Sequence, residues 1–319
     1  MLVMHSHRRL ASSFAVLLLA LFALATATAT AAPPNVLIIL ADDLGFSDLG
    51  CYGGEIHTPH LNHLAAGGLR FTQAYNTARC WPTRAALLTG FYAQSVCRDA
   101  LPGKKGGLHS ARPPWARLLP EMLQAAGYRT YHSGKWHIDG QPRAVGFDRS
   151  LDIGAAAQND YFTANSVTED GKGVAQTKDF YATTAIGDHA VRCLKDHAAN
   201  HADQPFFNYV AFTAPHFPLH APQPLVQSYR ERYRAGWNAV QEARFSRIKK
   251  MGLVQSVLPP LEADVGPPYA DGNLQKNLGN KEVLFPVPWA SLTPEQSEFQ
   301  ATKWRFTPPW SREWISRLG

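Results

Sequence analysis

The run Asn35–Ala41, NVLIILA, is unbroken in its apolar character and stops at the carboxylate pair Asp42-Asp43. The six apolar residues from Val36 to Ala41, without alternation, are the pattern of a strand buried on both faces, which occurs in parallel sheets covered by helices on each side. The chain that follows alternates between strand and helix signals. From Pro59, PHLNHLAAGGLRF predicts a helix with Leu61, Leu64 and Ala65 on one side, and FTQAYN (71–76) predicts a short strand. A second helix is predicted over Arg84–Thr89, and a third within WARLLPEMLQAAGY, closed by Gly127. RTYHSGKW reads as a strand leading into a loop, Phe180–His197 as a helix, and PFFNYVAFTAPH as another buried strand. This order predicts an α/β fold: a doubly wound, mixed but mostly parallel sheet flanked by helices, with its ligand site at the carboxyl ends of the strands. Asp42, Lys135 and His216 each fall just after a predicted strand.

Residues 1–31 carry Arg8 and Arg9, an apolar stretch from Phe14 to Leu24 and small residues at Ala27, Ala29 and Ala31. That is the build of a secretory signal peptide, so the mature chain is expected to start near Ala32 and to be periplasmic or secreted. No later stretch is long and apolar enough to span a bilayer, so no membrane partner is expected once the signal is removed. The formal charge of +6 is spread along the sequence without a basic run, which argues against a nucleic-acid partner. Four cysteines, Cys51, Cys80, Cys97 and Cys193, are too scattered for a disulfide scaffold, and no C-x-x-C pair suggests zinc. The segment Gln223–Pro294, rich in Pro, Gly and charge with one basic helix, is assigned to the surface.

Four places carry candidate chemistry. Asp42 and Asp43 at a strand terminus repel each other unless a cation or arginines compensate, and hard oxygen ligands suit Ca²⁺ or Mg²⁺. Cys80 stands before Pro82 and Arg84 in RCWPTRAALLTG. Proline suits the first helical turn, and a helix N-terminus with an arginine one turn on makes an anion cradle around whatever Cys80 becomes. Lys135 and His137, in SGKWHIDG, lie on the same side of an extended backbone, the lysine offering charge to an oxyanion and the histidine proton transfer. His216, between prolines in TAPHFPLHAP, is rigidly presented for acid or base work, with His220 close by as the alternative. His57, His60, His63, His109, His132 and His189 are left as surface or core residues.

Together PNVLIILADDLG, CWPTRAALLTG, SGKWH and TAPHFPLHAP, in this order and spacing, resemble the type I sulfatases, the arylsulfatase-like branch of the alkaline phosphatase superfamily. The resemblance runs from about Pro34 to Leu253 and more loosely to Lys303; Thr83 stands where serine is commoner in the family. It implies that a formylglycine-generating or other sulfatase-maturating enzyme oxidises Cys80 to Cα-formylglycine, whose hydrate attacks the sulfur of a sulfate-ester substrate. Asp42 and Asp43, with the Cys80 product, would hold Ca²⁺, Mg²⁺ being the weaker choice. Arg84 and Lys135 would bind the diol and the developing charge, His216 would assist the leaving alcohol, and His137 would take the proton of the second hydroxyl as sulfate leaves.

The sequence also departs from that family. A later Asp-Asn pair, typically D-N-G after an apolar strand and followed by a lysine, completes the family's metal site; downstream of Pro222 only ADGNLQKN (270–277) contains such letters, in a Pro-rich loop context. WRFTPPWSREWISRLG (304–319) replaces an expected helix, and back-translation in the neighbouring frame restores a helix-forming string, which points to a one-base deletion near the codon for Trp304. The expected organisation is a signal peptide at 1–31, the N-terminal part of a sulfatase catalytic domain at 32–303, and an atypical, frame-shifted tail at 304–319. A truncated chain of this kind would be short of calcium ligands. Two further readings stand beside the sulfatase: a phosphonate monoester or phosphodiester hydrolase on the same scaffold, and a non-catalytic remnant that binds anions.

Overall fold

In the computed structural model, which describes residues 32–100, 111–229, 231–260, 278–283, 285 and 287–305, the NVLIILA run forms strand β1, Val36–Asp42. Five more strands follow: β2 Arg129–Gly134, β3 Arg149–Ile153, β4 Val167–Glu169, β5 Lys172–Gly173 and β6 Phe206–Pro215. They form one sheet in the order β1-β6-β2-β3-β4-β5. β1, β6, β2 and β3 are mutually parallel, and β4 and β5 turn back antiparallel at the far edge. From Asn35 onward the chain is one unit. The signal peptide at 1–31, His109, ADGNLQKN and the tail from 306 lie outside the described residues.

Side chains on the parallel strands divide between two cores with the period of two that a pleated strand imposes. Phe207, Tyr209 and Ala211 of β6 face one side with Val36, Ile38 and Leu40 of β1; there they meet helices α2, Cys80–Thr89, and α3, Leu119–Ala125. Val210, Phe212 and Ala214 face the other side, against Ala182, Ile186 and Ala190 of α5, Ala182–Asn200. Helices on both faces confirm the doubly wound arrangement. α1 spans Pro59–Gly67, α4 Ala155–Asn159, α6 Gln223–Ser228, α7 Gly236–Lys250 and α8 Pro294–Arg305. No helix among the described residues is long and apolar enough to cross a membrane.

The structure corrects four sequence-based expectations. β1 is not buried on both faces: it is the edge of the described sheet and is only partly covered, with Leu37 45% exposed. FTQAYN is an exposed loop, because no described strand runs beside it to accept its hydrogen bonds. The helix expected over Arg84–Thr89 begins earlier, at Cys80. The segment from Gln223 is not merely surface. Tyr229, Tyr233 and Ile248 are buried, and Arg244 of α7 reaches Glu55 at 2.6 Å and Asp48 at 2.8 Å, clasping the loop that follows Asp42-Asp43. Tyr233 donates to the same Glu55 at 2.9 Å. All four cysteines are free thiols.

Candidate active site

The CWPTRAALLTG motif is one complete short helix. Cys80 is its first residue, Pro82 sits in the first turn where a missing N–H costs nothing, and Gly90 ends it at φ 76, donating to the Ala86 carbonyl at 2.9 Å. Thr89 hydroxyl returns to the Ala85 carbonyl at 2.7 Å, which accounts for the trailing Thr-Gly. Thr83 exchanges a 2.8 Å hydrogen bond with Thr77, so its hydroxyl ties the loop before the helix to the first turn. Cys80 is half-buried and lines a cleft of about 140 Å³ together with Asp42, Asp43 and Arg84.

β1 delivers Asp42 to that cleft, and Lys135, just after β2, reaches the Asp42 carboxylate. Gly134 allows this: a Cβ there would lie 1.9 Å from the Ala211 carbonyl oxygen of β6, which accepts the Lys135 N–H at 2.8 Å. Lys135 Nζ donates to Asp42 Oδ2 at 2.5 Å, and Arg84 Nη2 lies 3.5 Å from the same oxygen. All three side chains are buried, Arg84 to 1% exposure. Two cations thus face one carboxylate, and the excess positive charge suits an anionic ligand at short range. Arg84 Nη1 donates to the Lys135 carbonyl at 2.7 Å and to the Tyr209 hydroxyl at 3.1 Å, while its Nε and Nη2 have no hydrogen-bond partner among the described residues.

The two histidines differ in what they can do. Burial first, then the Lys135 and Arg84 charges, push the His137 pKa down to about 4, so its ring is neutral and able to accept a proton at neutral pH. Its Nδ1 is buried with no described partner, and Trp81 packs edge-on at 5.5 Å. His216 follows β6 directly. Its Nδ1 is 2.6 Å from the Phe217 carbonyl, an acceptor only, so Nδ1 carries the hydrogen and Nε2 is the exchanging nitrogen. Nε2 lies 3.7 Å from Asp43 Oδ2. Tyr161 donates to the His216 carbonyl at 2.6 Å, fixing the loop.

The adjacent aspartates, expected to act as a pair, therefore part company. Asp42 is buried against Lys135 and Arg84, whereas Asp43, at φ 66, is exposed and turned to His216. Lys135 and His137 are not on one extended stretch, because His137 has φ 48. The reaching charges nevertheless meet, since Lys135, Arg84, Asp42 and His216 all act on the His137 ring. His220 lies apart, 3.4 Å from Asp160. Sequence reasoning missed Tyr209 and Tyr161, which hold Arg84 and His216, and Asn76 and Arg79, which line the cleft. The alternation along β6 places Tyr209 on the face of α2, but nothing local marks its partner.

Calcium needs six to eight oxygen ligands. Among the described residues no group of three or more His, Cys, Asp or Glu side chains is placed to hold a metal, and Asp42 is already neutralised by two cations. The described residues alone do not make a calcium shell. Beside Cys80, by contrast, Arg84 keeps two buried nitrogens, Nε and Nη2, without a hydrogen-bond partner among the described residues.

The fold is a doubly wound α/β sheet whose strand ends bring Asp42 to a cleft shared with Cys80 and Arg84, with Lys135 bound to the same carboxylate. The Sulfatase family model matches residues 34–274, and the chain belongs to that family. It is 32% identical over 290 residues to an arylsulfatase of Klebsiella aerogenes, covering 84% of this chain and 57% of that protein. Human arylsulfatase A is 44% identical over 144 residues, 42% of this chain and 28% of that one. Among solved structures, Ps i-CgsB in complex with k-i-k-neocarrahexaose superposes with a TM-score of 0.55 at 28% identity, covering 69% of this chain and 53% of that chain. The chain spans about half the length of the curated relatives it matches.

Proposed function

We propose that the chain carries the sulfate-ester half-site of an arylsulfatase-type hydrolase and works in a periplasmic or extracellular space, with Cys80 converted to Cα-formylglycine by a sulfatase-maturating enzyme. The observation that carries this reading is the buried Nε–Nη2 edge of Arg84, which has no hydrogen-bond partner among the described residues and belongs to the residue lining the cleft with Cys80. Formylglycine, when hydrated, supplies a hydroxyl nucleophile and an internal route for releasing the anion that serine lacks. Cys80 fits that group because the first turn of α2 presents its side chain to the cleft with free backbone donors around it.

The remaining roles belong to this chain's own residues. Arg84 receives the sulfate oxygens through two parallel hydrogen bonds, and Lys135, braced by Asp42, adds positive charge where the transition state gains negative charge. His137, neutral because burial and two cations depress its pKa, accepts a proton at the Cys80 side. His216 holds its hydrogen on Nδ1 against Phe217 and exchanges a proton with the leaving oxygen at Nε2. Calcium would draw on Asp42 and Asp43; its remaining ligands are not among the described residues, and no step above depends on it. The arylsulfatase names of the relatives and the carrageenan oligosaccharide in the solved complex support an aryl or saccharide sulfate as substrate.

The test is to produce the chain with and without a formylglycine-generating enzyme and to follow the Cys80–Arg84 tryptic peptide by mass spectrometry beside release of a chromogenic aryl sulfate and an aryl phosphonate. Conversion of Cys80 with faster sulfate than phosphonate turnover is the expected result. Conversion with no turnover of either ester under added Ca²⁺ would identify a non-catalytic anion binder, and faster phosphonate turnover would reassign the substrate class.

A further inference from the structure

An arginine carries five N–H donors in a planar, rigid fork. In this chain the two bonds from Nη1 end on protein acceptors, the Lys135 carbonyl at 2.7 Å and the Tyr209 hydroxyl at 3.1 Å. The opposite edge, Nε with Nη2, is the edge that meets an oxyanion with two parallel bonds, and it has no hydrogen-bond partner among the described residues, Nη2 lying 3.5 Å from Asp42 Oδ2. A guanidinium held by the carbonyl alone can pivot about that contact. Held by two acceptors on one nitrogen, its plane is set.

Tyr209 is itself immobilised. It is fully buried on β6, and its ring stacks on His132 at 5.9 Å and 28°. His132 is in turn walled by Trp136 at 5.5 Å and Phe147 at 5.4 Å. His132 is fully buried, and its imidazole serves as one more flat ring in the aromatic layer behind Tyr209. A hydroxyl anchored in such a layer is a fixed point against which a flexible arginine can be aimed.

We propose that Tyr209 is a positioning residue of the site: its hydroxyl, acting through Arg84, turns the Nε–Nη2 edge toward the anion beside Cys80. Only the identity of that anion rests on the sulfate-ester reading; the orientation does not. The test therefore uses Cys80 in its unconverted thiol form and needs no turnover. The rate of alkylation of Cys80 by anionic iodoacetate is divided by the rate with neutral iodoacetamide, each read from the Cys80–Arg84 peptide. Tyr209→Phe keeps the ring and removes only the hydroxyl. It is expected to lower the ratio about threefold, the worth of one hydrogen bond of modest strength, while the iodoacetamide rate stays within about twofold and buried Cys193 stays protected. In an Arg84→Gln background the ratio is already low, and adding Tyr209→Phe should change it no further; a purely structural effect of Tyr209 would persist there.

An unchanged ratio in a Tyr209→Phe chain whose Cys193 is still protected would overturn the proposal. Should Cys193 become reactive, signalling an unfolded variant, the decision passes to the unaltered protein: ¹⁵N spectra of the Arg84 side chain are expected to show slow guanidinium rotation with separate Nη signals. A single averaged Nη signal there overturns it equally. Absence of sulfatase turnover leaves both readouts intact, so failure of the functional reading and failure of this one are told apart.

Discussion

Burial decides the protonation of His132 and His189, and with it part of the acid stability of the fold. Burial above all pushes the His132 pKa down to about 3 and that of His189 to about 4. Both rings are neutral in the folded chain and protonate in the unfolded chain below about pH 6.5. The unfolded state then binds more protons, so stability is full above pH 6.5 and falls as the pH drops toward 4, by up to ~1.4 kcal/mol per pH unit for each histidine. Urea midpoints at pH 7 and pH 5 should show the fall; a midpoint that rises on acidification contradicts it. His132→Phe removes a fully buried titratable ring and is expected to flatten that slope between pH 5 and 7. At this scale the sequence was informative where structure is local: Cys80, Pro82 and Arg84 were placed at a helix N-terminus, and they share the first turns of α2. Tyr209 and Tyr161 were illegible because their partners, Arg84 and the His216 carbonyl, come from elements brought alongside only by folding.

Between elements, closeness of approach is the governing constraint. Gly134 has φ 123 and no room for a Cβ against β6, so Gly134→Ala must separate β2 from β6 just where Lys135 leaves the sheet. The expected cost is at least ~2 kcal/mol from the backbone conformation and the clash together. Urea unfolding measures the stability loss, and anion affinity should fall along with it. The Glu55 clasp gives a second case. Burial alone would raise the Glu55 pKa, but the hydrogen bonds from Arg244 and Tyr233 outweigh it and hold it below the ordinary value. Arg244→Met leaves that buried carboxylate short of its main partner and is expected to cost about 2 kcal/mol, seen as a lower Tm and a protease-sensitive loop at 45–55. Strand ends were readable to within a residue: Lys135 and His216 follow β2 and β6 directly, while Asp42, expected just after β1, is its last residue. FTQAYN was not, because β propensity without a neighbouring strand to pair with leaves a loop.

Across the molecule, the parallel sheet is an unequal object. β6 is central and wholly covered, whereas β1 pairs on one side only among the described residues. The apolar run of β1 signalled a parallel strand correctly, but a run of that kind carries no information on whether the strand ends up central or at an edge. An edge strand with an exposed leucine is a template for self-association. Leu37→Lys is expected to lower the sedimentation-measured tendency to associate without shifting the far-ultraviolet circular dichroism; an unchanged association constant would place the contact elsewhere. The same pairing sets a clock. Among the described residues β1 closes on β6 alone, with Val36 beside Phe207, so the strand bearing Asp42 waits for that partner until the chain has grown past Pro215. At 5–20 residues per second, the stretch from Cys80 to Pro215 takes roughly 7–27 s to synthesise. A ten-residue helix such as α2 is marginal by itself over that interval. Cys80 therefore passes its first seconds as an open, thiol-bearing peptide, the period in which any enzyme that must handle it as an extended chain has access.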